Sequence, residues 1–188
     1  MFNFFKKTQN PEDIAKTITE KVAGTAFNFF RQQEFRQQTN LTALDQTEQD
    51  RIFNELVANG LVLGILMFDF LSTKTKKDRS KQFYEELKIE LISRYGNWLR
   101  ELGTPEQFCN LWKDLIQMRA EEYSKDYRKY RKEIDDPFKE NPWVFVVAIG
   151  CHNHIRRGKS EPDELFKLIL RWILETAKTI SKITLKSI

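Results

Sequence analysis

Between Ile52 and Leu71 lies a run, Leu61-Val62-Leu63-Gly64-Ile65-Leu66-Met67-Phe68, in which eight consecutive residues carry no polar side chain. A helix on a protein surface shows one apolar stripe, whereas a helix apolar on every side has to be enclosed by others. The run falls well short of the about 20 apolar residues that cross a bilayer, and Asn59 and Asp69 bracket it. We therefore read about residues 46–73 as the central helix of an all-α bundle. Five to six helices in a single domain, residues 1–188, are expected around it.

Composition agrees. The 188 residues suffice for one sizeable core, and 40% hydrophobic with 31% charged residues describes a folded chain. Seven Gly and five Pro are too few for the many tight turns of an all-β fold. Residues 1–73 hold 7 Lys/Arg against 9 Asp/Glu, and residues 74–188 hold 24 against 18. The second half thus allows an acidic partner without requiring one. Cys109 and Cys151 stand far apart with no repeated spacing, so a disulfide framework is not expected and a reducing, cytoplasmic setting is.

At the start, Phe2, Phe4 and Phe5 precede Lys6 and Lys7. A secretory signal puts its charges first and its apolar stretch is longer. Residues 1–9 read as a terminal arm, flexible unless its Phe side chains tuck into the core. That reading is preferred to membrane-surface contact through Phe2, Phe4 and Phe5.

Helix signals follow in order. Asn10-Pro11-Glu12-Asp13 supplies an N-cap, a Pro at the first position and acids in the first turn, ahead of Ile14, Ile18, Val22, Ala26 and Phe29 on one face. Gly24 sits within this helix and weakens its continuity, and the polar stretch Arg31 to Gln38 reads as its solvated end. Asp45 with Glu48 caps the central helix. At 100° per residue, Glu55, Asn59, Val62, Leu66 and Asp69 fall on one strip, expected to be the face that sees water. Gly60 and Gly64 offer a neighbouring helix a close approach.

Tyr84, Leu87, Leu91, Tyr95, Trp98 and Leu102 form the seam of the third helix, which Gly103 ends. Thr104-Pro105-Glu106-Gln107 opens a fourth, whose stripe from Phe108 and Trp112 through Ile116, Tyr123 and Tyr127 to Ile134 predicts roughly 28 residues, or ~42 Å. Trp143 to Ile149 has strand-like composition but no strand partner elsewhere. With Arg156-Arg157-Gly158 as a helix end, 142–157 is read as helix. The last helix starts near Ser160 and buries Leu165, Ile169, Trp172, Ile173, Ile180 and Ile183, with Lys167, Arg171, Glu175, Lys178 and Lys182 in water.

Three groupings bear on chemistry. Cys151-His152-Asn153-His154 holds both histidines, and in a helix Cys151 and His154 share a face, the one candidate metal pair. No second His/Cys cluster completes it, so the preferred reading sets the histidines against a helix C-terminus. Between residues 119 and 132, Tyr123 and Tyr127 lie among Arg128, Lys129, Arg131 and Lys132, a pattern able to hold nucleic acid through phosphates and stacked bases. The tyrosines equally continue the core stripe, and Glu121, Glu122 and Asp126 dilute the charge. Asp135-Asp136-Pro137 reads as a turn, and Asp69 sits on the strip expected to meet water.

No Gly-rich phosphate loop, nucleophile elbow or spaced carboxylate pair appears, so no catalytic residue or cofactor is assigned and the reading leans away from an enzyme. The expectation is a non-catalytic helical interaction protein that holds another protein or a second copy of itself. Its rivals are a nucleic-acid binder using the helix over 119–132, and a metal or apolar-ligand binder using Cys151 and His154 or an aromatic-lined pocket.

Overall fold

The computed structural model describes residues 10–130, 132, 142–158 and 161–187, with Tyr130, Lys186 and Ser187 described by backbone only. The arm over residues 1–9, Arg131, Ile134, the Asp135-Asp136-Pro137 turn and Ser160 lie outside them. Among the described residues there are seven α-helices and no strand. They are α1 (Pro11–Phe30), α2 (Gln33–Gln38), α3 (Gln46–Lys74), α4 (Asp78–Glu101), α5 (Glu106–Tyr130), α6 (Pro142–Ile155) and α7 (Glu164–Ser187), with a 3₁₀ turn at Leu41–Ala43.

Helix α3 starts where its cap requires: the Glu48 N–H donates to the Asp45 carboxylate at 2.8 Å. From Glu55 to Phe68 every residue is buried, and α1, α4, α5, α6 and α7 all touch this helix. Leu63 is 0% exposed, Ile65 6% and Met67 7%. Contrary to the expectation from the eight-residue run, α3 is long and apolar enough to cross a membrane by length and composition alone, the one such helix among the described residues, but 78% of its apolar window is buried in protein. The α3 glycines admit neighbours as expected. A Cβ on Gly60 would stand 2.5 Å from Val22 of α1, and one on Gly64 would stand 3.3 Å from Leu91 of α4.

Several expectations need correction. The strip Glu55, Asn59, Val62, Leu66 does not see water: all four are buried and only Asp69 is exposed. The cause is that α5 and α6 cover that face and bring polar partners with them. Residues 33–38 form a separate helix rather than the end of α1: Gln33, Glu34, Gln37 and Gln38 are exposed as expected, but Phe35 is buried, its ring centroid 4.6 Å from that of Phe29. Gly24 does not interrupt α1, which runs through it in open space. Leu102 and Phe108 leave the expected seams for solvent, and Cys109 takes the inward position on α5.

Residues 142–155 are helical, with ten of them buried, so the strand-like composition reflects enclosure on all sides. The α6 end is a Schellman turn: Gly158 N–H donates to Asn153 C=O at 2.9 Å and Arg157 N–H to His154 C=O at 3.3 Å. The left-handed residue is Arg157 (φ 58°), not Gly158. Arg51 of α3 donates to the His154 and Ile155 carbonyls at 3.0 and 3.2 Å, satisfying terminal acceptors of α6. Glu48 binds both Arg51 and Arg157, tying the α3 start to the α6 end.

Candidate functional site

Polar side chains within a core must find partners there. On α3, Glu55 and Asn59 are four residues apart and share a face; on α5, Arg119 and Tyr123 have the same spacing. The helices run parallel with a constant offset of 64 residues, so the two pairs meet as rungs. Arg119 Nη2 lies 3.3 Å from Glu55 Oε1, and the Tyr123 hydroxyl donates to Asn59 Oδ1 at 2.6 Å. Asn59 Nδ2 in turn donates to the Glu55 carbonyl at 2.7 Å. A fully buried Asn is thereby satisfied at both ends.

Helix α6 closes this ladder. Gly150 is needed because the Tyr123 ring occupies the space a side chain would fill: a Cβ there would lie 2.2 Å from Tyr123 Cε1. Cys151 is buried beside it, and the His154 ring stacks on Tyr123 with centroids 6.2 Å apart. His154 Nε2 lies 3.6 Å from a Glu122 carboxylate oxygen, beyond hydrogen-bond reach, and that nitrogen is buried without a partner. Arg119 Nη1 holds the same carboxylate at 3.3 Å.

The proton states follow from burial. Burial pushes the Cys151 thiol well up, and the Glu55 carboxylate pushes the same way. Burial likewise raises Tyr123 far above its ordinary range. Burial lowers His154 below 6.5, with Arg119 adding to the effect and Glu55 opposing it. At neutral pH the set is a thiol, a phenol and an uncharged imidazole. A nucleophilic cysteine needs the thiolate, which this environment disfavours. The arrangement reads as a polar lock that fixes the register of α5 and α6 on α3.

The sequence candidates divide here. Cys151 and His154 do share a face of α6 and come together with Glu55 and Glu122 nearby. Among the described residues, however, no group of three or more His, Cys, Asp or Glu is disposed to hold a metal ion. Both histidines do lie in the last turn of α6, at its C-terminal end. His152 Nε2 bonds Asp163 at 2.9 Å, and Asp163 also takes the Phe166 N–H at 3.0 Å as cap of α7. Tyr123 is buried with its hydroxyl committed, so it offers no face to a base. Tyr127 is half-buried, its centroid 4.7 Å from that of Trp143. Arg128, Lys129 and Lys132 are exposed.

What the sequence reading missed is the Glu55–Asn59–Arg119–Tyr123 ladder. One signal was legible: two polar residues four apart inside an otherwise apolar, enclosed helix require partners from a neighbour. A separate feature lies on the other side of α5. A groove of about 600 Å³ runs between α4 and the second half of α5, with α3 beneath it. Comparison with models of known protein families, with curated protein sequences and with solved structures finds no match.

Proposed function

We propose that this protein acts by association rather than by catalysis, and that its partner is a second copy of the chain. The reading rests on α5. Phe108, Leu111 and Met118 are 46%, 56% and 64% exposed, and half-buried Leu115 lies among them. Their spacing of three, four and three places them on one ridge, turned away from the helix face that carries Cys109, Ile116 and Tyr123 inward. Exposed apolar ridges of this kind mark contact surfaces.

A second copy is favoured because the ridge is self-complementary. In an antiparallel pairing about a two-fold axis near residue 113, Phe108 of one copy meets Met118 of the other, and Leu111 meets Leu115. The same pairing sets the two Asp114 side chains beside the axis, so salt that screens their repulsion strengthens association. A stable dimer buries ~800 Å² per copy, more than a four-residue ridge supplies, which places the affinity toward the micromolar end. The two thiols are free and buried, in keeping with a reducing, cytoplasmic setting.

Sedimentation velocity on the full chain, over about two decades of micromolar concentration, tests the reading. Mass should rise with concentration, rise further with salt, and return to monomer in Leu111→Glu/Met118→Glu with unchanged helix content. A monomer at every concentration and salt sinks it. A chain that instead binds an oligonucleotide with affinity falling as salt rises would restore the nucleic-acid reading.

A further inference from the structure

Where α1 ends and α2 begins, a concavity of about 540 Å³ crosses the outer face of α2, and no residue of the α5 ridge takes part in it. Arg31, Gln33, Arg36, Gln37, Asn40 and Thr42 line it. The local chain explains that set. Phe35 is turned into the core against Phe29, so Gln33, Arg36 and Gln37, spaced three and four apart, share the opposite face of the helix. Asn40 then takes the left-handed conformation at φ 50° and turns the chain back, which sets Thr42 on the same side.

The charge here is one-sided. No carboxylate lines the concavity. Glu34, the one acid of α2, stands about 160° round the helix from Arg36. In the groove between α4 and α5, by contrast, Lys88 is already held by Asp69 at 2.7 Å and Glu85 at 2.8 Å. Arg36 is half-buried, and its side chain makes no hydrogen bond or ion pair among the described residues. The Arg31 guanidinium lies over the Phe27 ring, 5.4 Å from its centroid, a contact that places the group without consuming its N–H donors. Two like charges on one hollow repel each other, and an anion between them removes that repulsion. The other lining side chains are carboxamides and a hydroxyl, so every one of them also has a hydrogen to donate.

We propose that this concavity binds a phosphate-bearing small molecule, its phosphoryl oxygens on Arg31 and Arg36 and its remaining polar groups on Gln33, Gln37 and Asn40. A guanidinium offers paired N–H donors that match phosphate. An all-polar lining without an acid selects an oxyanion over a cation, and over a ligand with a hydrocarbon chain. Inorganic diphosphate and a nucleoside diphosphate present the same oxyanions, and titration separates the two sources.

Isothermal titration of the full chain with pyrophosphate and with adenosine diphosphate, at fixed ionic strength, tests this. Saturable one-to-one binding of pyrophosphate is expected, with acetate at least about tenfold weaker. Adenosine diphosphate binding more tightly than pyrophosphate identifies a nucleotide as the ligand; equal or weaker binding identifies the bare diphosphate. Arg31→Gln and Arg36→Gln should each weaken pyrophosphate by about tenfold without moving the melting temperature of the free chain. Arg36→Lys, which keeps the charge and loses the planar fork, should fall between Arg36→Gln and the natural chain. Arg79→Gln, at the exposed start of α4, should leave binding unchanged. The proposal is overturned if no saturable binding is found below about 10 mM, if acetate competes as well as pyrophosphate, or if Arg79→Gln costs as much as Arg36→Gln.

Discussion

Gly150→Ala adds a single methyl group to α6 at a point where there is no room for it. The new Cβ would lie 2.2, 2.3 and 2.5 Å from Tyr123 Cε1, Cζ and Oη. These atoms belong to a rigid ring, held by its hydrogen bond to Asn59 and by its stack on His154. Helix propensity alone favours Ala over Gly by about 1 kcal/mol. Against that stand about 1–3 kcal/mol of overpacking and about 1–3 kcal/mol for a buried acceptor left unpaired when the ring moves. The balance is a destabilisation of about 1–5 kcal/mol, centred near 3. For a chain of this size each kcal/mol lowers Tm by about 2–4 °C, so Tm should fall by about 6–12 °C.

Gly24→Ala is the control for propensity. Gly24 lies inside α1 with nothing within 4 Å of its would-be Cβ. The same substitution there should stabilise by about 1 kcal/mol. Urea unfolding followed by far-ultraviolet circular dichroism gives both values. A cycle with Tyr123→Leu isolates the cause, because without the ring Gly150→Ala should cost less than about 1 kcal/mol. Should Gly150→Ala prove as stable as the natural chain, or its cost persist undiminished beside Leu at 123, the account of the polar lock is wrong.

Other outcomes follow from the same contacts. Because the folded-state pKa of His154 lies below 6.5, the unfolded chain takes up the proton first; its contribution is complete above 6.5 and is lost as pH falls through the folded value. His154→Phe should therefore flatten stability between about pH 7.5 and pH 5.5 in urea titrations. Arg51 and Arg157 hold the Glu48 carboxyl down at about 2, so its contribution is present above 4.5 and lost as pH falls through about 2. Glu48→Gln should remove part of that acid limb, read by the pH dependence of Tm. Both thiols are buried, and burial raises Cys151 further from its thiolate, so a thiol reagent should label neither until the chain unfolds.

Much of the architecture was legible in the residues. Asn10 and Asp45 cap the helices they were expected to cap, and Gly103 takes the left-handed turn after α4 at φ 85°. Gly60 and Gly64 admit close neighbours, and α3 is enclosed as its uniform apolar run requires. These are matters of short range: caps, periodicity and missing side chains act within a turn or two. The main failure has a physical cause. A helical wheel ranks faces by polarity, so it turned Glu55 and Asn59 toward water, whereas α5 supplies Arg119 and Tyr123 at the same spacing.

Sequence by itself determined that this chain is helical, that about residues 46–73 form its centre, and which caps set the helix ends. Only the tertiary structure decided that polar residues 64 apart would meet in register, that Gly150 would make room for a tyrosine ring, and that one ridge of α5 would stay uncovered. The reason is physical. Local pattern fixes which residues share a face, but which face is buried depends on the offset and angle between helices distant in sequence, and those are set by all the contacts together.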